Sequence, residues 1–300
     1  ETMGLTLAPE DGAALETRTE GWVAGLQLAA LALRGRTDRA AFLAQFTGGH
    51  RYILGYLMDE VLARQPAAVQ DFLLKTAVLE RLCGSLCDAV TGATDSQARL
   101  EELQRTNLFT VALDEQGEWY RYHHLFRDVL RLRLQQTQAE LLPTLQQRAS
   151  RWYEAQGLLD EAIEYAVAAQ DLQRAGDLIA NAFLPLWKRS ALGTLRGWIE
   201  QLPEAAFQQH AELAFWSGAL LGYTGELDLA ESRLNSAETL FHGAASRQEL
   251  PSDALVERQG RIAWLRGVLA GRRGAVDQTL AFVEQAFRLL PPNELLFRGG

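Results

Sequence analysis

A six-residue frame, Gly-x-x-Asp-x-Ala/Thr, recurs along the second half of the chain and constrains its fold more than any other feature. Gly157-Leu158-Leu159-Asp160-Glu161-Ala162 returns as Gly225-Glu226-Leu227-Asp228-Leu229-Ala230 and, more weakly, as Gly274-Ala275-Val276-Asp277-Gln278-Thr279. The first two copies lie 68 residues apart, twice the ~34-residue period of paired-helix repeats, and a degenerate turn around Leu192-Gly193 falls between them. Each residue type has a physical role in such a frame. Glycine ends one helix in a left-handed conformation, aspartate caps the next, and a small alanine lets the two helices approach closely. Trp152, Trp216 and Trp264 fall on the helices preceding the glycines. The third copy comes 49 residues after the second, which predicts an insertion in the loop His242 to Asp253.

Upstream the pattern is different. A helix from about Thr19, apolar nearly all round to Leu33, and a second from Asp38 form one segment, because a helix without a polar face needs cover on every side. Helices follow over Tyr52 to Gln65, Ala67 to Leu79 and Ser85 to Val90, the last stopped by Gly92. Thr94 and Gln97 have capping-box spacing ahead of a helix over Ala98 to Gln104. Leu108 to Leu113 and Glu118 to His123 alternate as strands around a turn whose Gly117 supplies a positive φ. Helices followed by a β-hairpin are the layout of a winged-helix domain. The expected fold is therefore mainly α: a helical part at 1–48, a winged-helix domain with a small β-hairpin at 49–137, and a tetratricopeptide-like α-solenoid at 138–300.

Composition narrows the function. With 29 Lys and Arg against 38 Asp and Glu, a net charge of −9 argues against holding nucleic acid by bulk electrostatics. The apolar run Val23 to Leu33 is shorter than the ~20 residues that cross a bilayer, and no export signal opens the sequence. A cytoplasmic location without membrane contact is expected. Cys83 and Cys87, four apart with no nearby His or Cys to complete a metal site, read as small core residues. The start at Glu1-Thr2-Met3 and the close at Arg298-Gly299-Gly300 suggest a piece of a longer protein.

The run from Trp119 to Leu134, WYRYHHLFRDVLRLRL, switches from a strand period to a helical one and sets His123 and His124 at the junction. Asp128 follows His124 by one helical turn, yet no Ser or Cys nucleophile has the spacing to use that pair, so no catalytic site is expected. A Gly-rich phosphate loop ending in Lys-Ser/Thr is also lacking. Arg121, Arg127, Arg131 and Arg133 form a local positive stretch, read either as a DNA-docking face or as a solvated helix face, the latter favoured by the acidic whole. Trp187, Trp198, Trp216 and Trp264 read as groove lining for a sugar or peptide, or as core.

Four blocks carry a resemblance: Thr19 to Gly35 (TEGWVAGLQLAALALRG), Phe72 to Gly92 (FLLKTAVLERLCGSLCDAVTG), Trp119 to Arg131 (WYRYHHLFRDVLR) and Ala149 to Ala169 (ASRWYEAQGLLDEAIEYAVAA). In this order they resemble the central region of MalT-like transcriptional regulators, ATP-dependent LuxR-type proteins of the STAND class. That resemblance implies a nucleotide-binding module, a winged-helix domain, a tetratricopeptide-like sensor superhelix and a C-terminal promoter-binding helix-turn-helix. The chain would hold the end of the first and the two middle parts, without the Walker motifs or the DNA-reading helix.

Tyr122-His123-His124-Leu125-Phe126-Arg127-Asp128 resembles the Met-His-Asp motif of related switch ATPases, whose histidine contacts the β-phosphate of ADP. The resemblance thus implies that His123 binds the cofactor, while His124 stands where the motif has Asp. Gly25-Leu26-Gln27-Leu28-Ala29 resembles an adenine-facing Gly-Leu-Pro-Leu-Ala segment, with Gln27 in place of Pro. The expected function is the regulatory region of an ATP-dependent transcriptional activator, using ADP or ATP in the full-length parent. Its partners would be the flanking nucleotide- and DNA-binding domains, a small-molecule or protein inducer on the superhelix, and further copies once activated. Two alternatives stand beside this: His123 packing under the wing, and a free-standing helical scaffold with no nucleotide dependence.

Overall fold

The computed structural model describes residues 55–291. The expected helices before Tyr52 and the Gly25–Ala29 segment lie outside the described residues. Two compact units divide between Trp152 and Tyr153.

In the first unit a π-helical turn, Leu57–Leu62, precedes α1 (Ala67–Thr76), α2 (Gly84–Thr91) and α3 (Ser96–Arg105). Pro66 sits at the N-cap of α1, where its missing N–H costs nothing. Gly92, at φ 81, ends α2 as expected. The strands β1 (Thr110–Ala112) and β2 (Tyr120–Tyr122) pair antiparallel, Thr110 with Tyr122 and Ala112 with Tyr120. They are shorter than the alternation predicts because Asn107 and Phe109 both turn left-handed, at φ 51 and 52. Asp114 closes the turn by accepting from the amides of Glu118 and Trp119 at 2.9 Å each, with Gly117 at φ 68 as expected. Leu82 adds a one-residue third strand, exchanging two 2.8 Å backbone bonds with Tyr120. α4 (His124–Thr137) follows β2 directly, and α5 (Leu142–Ala155), within whose last turn the division between the units falls, comes after a short 3-10 turn.

Period-2 alternation turns Tyr120 and Tyr122 inward, where both are buried, and Tyr122 meets Phe126 edge-on at 6.0 Å. Thr76 ties α1 to the wing. Its hydroxyl donates to the Phe72 carbonyl at 2.7 Å, so the Tyr122 hydroxyl, 2.6 Å away, donates to Thr76. Burial pushes the Tyr122 phenol well above its ordinary range, which keeps it a neutral donor.

The capping box expected at Thr94 does not form. α3 starts at Ser96, whose amide donates to Asp88 at 3.1 Å, and the Gln97 carboxamide donates to Glu101 and the Gly117 carbonyl instead. Gly84 explains that turn of the chain, since a Cβ there would lie 2.8 Å from Gln97 Cβ.

The second unit is helical throughout its described residues: α6 (Leu159–Ala168), α7 (Leu172–Lys188), α8 (Leu192–Glu200), α9 (Glu204–Gln209), α10 (Ala211–Thr224), α11 (Leu227–Ser246), α12 (Ser252–Arg272) and α13 (Val276–Leu289). Six turns share one device. A left-handed residue follows the helix, and the next amide reaches back five residues: Leu158 to Tyr153, Asp171 to Ala166, Ala191 to Leu186, Glu226 to Leu221, Glu249 to Ala244 and Ala275 to Ala270, all at 2.9–3.0 Å. These are Schellman closures, which satisfy otherwise orphaned carbonyls. Glycine is the left-handed residue at 157, 225 and 274, but Gln170, Ser190 and Gln248 fill the other three.

Three expectations about the repeat need correction. The intermediate turn lies at Ser190, because Leu192 and Gly193 already belong to α8. No loop insertion spans 242–253: the extra length extends α11 and α12 to 20 and 21 residues, joined by a short connection. The frame's aspartates are not N-caps, since Leu158, Glu226 and Ala275 hold those positions. Asp160, Asp228 and Asp277 stand in the first turn, where the helix dipole favours an anion. The alanine of the frame does serve close approach. Ala230 is fully buried, and a Cβ on Gly218 would come within 3.2 Å of its carbonyl.

Candidate functional site

At the strand-to-helix junction, His123 occupies the N-cap of α4 at φ −54, ψ 132. Its amide donates to the Phe109 carbonyl at 2.7 Å, which locks the junction onto the wing. The ring is buried, edge-on to Phe109 at 6.1 Å and stacked on His124 at 4.9 Å. His123 makes no side-chain cap bond to α4, and the first turn of that helix holds no acidic residue. The geometry therefore sets two imidazoles beside the positive end of a helix dipole.

Two of the nearby arginines are committed within the domain. Arg127 and Arg131 both meet Glu80, Arg131 at 2.9 Å, and Arg131 also donates to the carbonyls of Ala77 and Val78. Partial burial pushes the Glu80 carboxyl up, and the two guanidiniums more than offset this, holding it below the ordinary carboxylate range. Two of the four charges in the positive stretch thus tie α4 to the end of α1. Cys83 and Cys87 are buried free thiols, and burial pushes Cys87 far above the range in which a thiolate forms. Among the described residues no group of three His, Cys, Asp or Glu could hold a metal, and no helix is long and apolar enough to cross a membrane.

In the second unit a cavity of about 240 Å³ opens between α7, α10 and α12. Trp187, Trp216 and Trp264 line it, together with Phe183, Tyr223 and Arg272. Phe183 stacks on Trp216 at 4.7 Å, and Trp187 meets Tyr223 edge-on at 5.2 Å. Of the four tryptophans singled out in the sequence, Trp198 takes the core role: it is buried and its indole N–H donates to Asp160. Phe183, Tyr223 and Arg272 escaped the sequence reading. The one available signal was the doubled spacing Gly218-x3-Gly222-x2-Gly225 and Gly267-x3-Gly271-x2-Gly274, which marks small residues facing a partner helix.

A wing of two strands on a helical core, with Schellman-turned helical pairs in a second unit, defines a winged-helix and helical-repeat protein. Residues 58–142 match the MalT winged helix domain. The chain is MalT-like: it is 31% identical over 284 residues to the HTH-type transcriptional regulator MalT of Klebsiella pneumoniae (strain 342), covering 94% of this chain and 30% of that protein. It is also 35% identical over 296 residues to the serine/threonine-protein kinase PknK of Mycobacterium tuberculosis (strain ATCC 25618 / H37Rv), covering 97% of this chain and 26% of the kinase. The chain thus spans less than a third of the length of these relatives.

Proposed function

We propose that this chain is the regulatory and sensor region of a MalT-like, ATP-dependent transcriptional activator, coupling an inducer or partner on the helical repeats to an ADP/ATP switch. Two relatives with different outputs, one named a kinase and one a transcriptional regulator, match nearly the whole chain. A region common to both is suited to control an output rather than to supply it. The observation that carries the nucleotide half of the reading is His123 beside His124 at the start of α4, with no acidic residue in its first turn. Such a helix start favours phosphate, and an imidazole N–H donates to a phosphate oxygen. In this reading His123 contacts the β-phosphate of ADP held by an upstream nucleotide-binding domain, and the closed state opens when the repeats are occupied.

The test uses the longer protein that carries this chain. A hydrogen bond to a charged group contributes about 1.5–3 kcal/mol, so His123→Ala should weaken ADP binding by roughly tenfold or more and raise inducer-independent transcription. Unchanged ADP affinity together with unchanged basal transcription would refute the assignment.

A further inference from the structure

The cavity between α7, α10 and α12 has a definite chemical character. Aromatic and aliphatic side chains make most of its wall, and Arg272 is the one charged residue among those lining it. Arg272 Nη1 donates to two carbonyls in the last turn of α10, those of Gly222 and Tyr223, the latter at 2.7 Å. Its neighbour Arg273 pairs with Asp228 at 2.8 Å. Arg272, by contrast, has no carboxylate partner among the described residues, so the rest of its guanidinium edge is open to an anion.

Size and polarity decide what fits. An apolar cavity of about 150 Å³ accepts benzene, so 240 Å³ has room for a bicyclic ring. A sugar would bring several hydroxyls into a space with few polar partners, and each unpaired hydroxyl opposes binding. A carboxylate needs only one anchor, and a guanidinium is the side chain whose planar fork fits it.

We propose that this cavity binds a planar aromatic carboxylate of bicyclic size, its ring among Trp187, Trp216 and Trp264 and its carboxylate on Arg272. The proposal deepens the sensor reading above and rests on it only for the regulatory consequence. Because the walls come from three helices of successive pairs, an occupant joins α7, α10 and α12 in one contact set.

Isothermal titration of the whole chain with 2-naphthoate and with the uncharged 2-naphthylmethanol tests it. The folded protein should bind naphthoate about tenfold more tightly than the alcohol, the margin of one charge-assisted contact at a partly open site. Arg272→Gln should erase that margin and Arg272→Lys should keep part of it. Val268→Trp, which fills the cavity from α12, should abolish binding of both probes, with thermal unfolding confirming that each variant is folded. Equal affinity for the two probes, no naphthoate binding, preference for a neutral oligosaccharide, or an intact margin in folded Arg272→Gln each overturns the proposal. Failure here leaves the His123 measurement standing. Naphthoate that binds yet leaves ADP retention in the longer protein unchanged keeps the pocket and refutes its sensor role.

Discussion

Replacing Gly225 by alanine isolates the energy of one Schellman turn. Gly225 has φ 102, and a Cβ added there meets nothing within 4 Å, so the substitution strains the backbone without a clash. An L-residue in the left-handed region costs about 1–2 kcal/mol, and the alanine chain loses less entropy on folding, which returns roughly 0.4–1 kcal/mol. The net is a destabilisation of about 1 kcal/mol. Gly157 and Gly274, at φ 74 and 77, lie nearer the left-handed minimum, and alanine there should cost less. The same arithmetic reverses at Ser190, already left-handed at φ 58: Ser190→Gly should stabilise by about 0.5 kcal/mol. Urea denaturation followed by far-ultraviolet circular dichroism reads both, as shifts in midpoint at unchanged slope. A neutral Gly225→Ala together with a destabilised Ser190→Gly would refute the assignment of these turns as one energetic device.

Other substitutions probe the packing around both sites. Thr76→Val leaves the buried Tyr122 hydroxyl without its acceptor and should cost about 1–3 kcal/mol; combining it with Tyr122→Phe should cost less than the sum of the two single changes, measured as a double-mutant cycle. Gly176→Ala places a Cβ 2.4 Å from His210 Cδ2, and His210 is held on both sides, by Asp177 at 3.0 Å and by the Leu213 amide at 3.0 Å. It should lower stability by about 1–3 kcal/mol, and a wild-type melting temperature would contradict it. Glu80 has a carboxyl held below its ordinary value of 4.5, so its pairing stabilises the fold above that pH and is lost as pH falls through the lowered value. Glu80→Gln should therefore reduce stability at neutral pH and flatten acid unfolding below about pH 5, by at most ~1 kcal/mol because solvent screens the half-exposed pair.

What was legible in the sequence divides along physical lines. The turns at Gly92, Gly117, Gly157, Gly225 and Gly274 were readable because positive φ selects glycine. Gln170, Ser190 and Gln248 adopt the same conformation without any compositional mark, which is why the repeats looked more divergent than they are. Periodicity placed His123 where strand becomes helix, and the structure puts it at that N-cap. Contacts distant in sequence had no local signature. Glu80 neutralises Arg127 and Arg131 from about 50 residues away, Leu82 forms a strand of a single residue, and Asp88 takes the amide that a Thr94 capping box would have served differently. The tryptophans illustrate the same limit. Trp198 in the core and Trp187 at a cavity share helical surroundings, and only the packing of α7, α10 and α12 tells them apart.

Two neighbouring imidazoles, His123 and His124, separate a nucleotide contact from packing. ADP dissociation would be timed from the longer protein carrying His123→Ala or His124→Ala, both of which alter the same stacked pair. The nucleotide-switch account predicts that His123→Ala speeds release by roughly tenfold or more, with His124→Ala close to wild type. Equal release from both variants and the wild type would contradict it and leave His123 as packing beneath the wing.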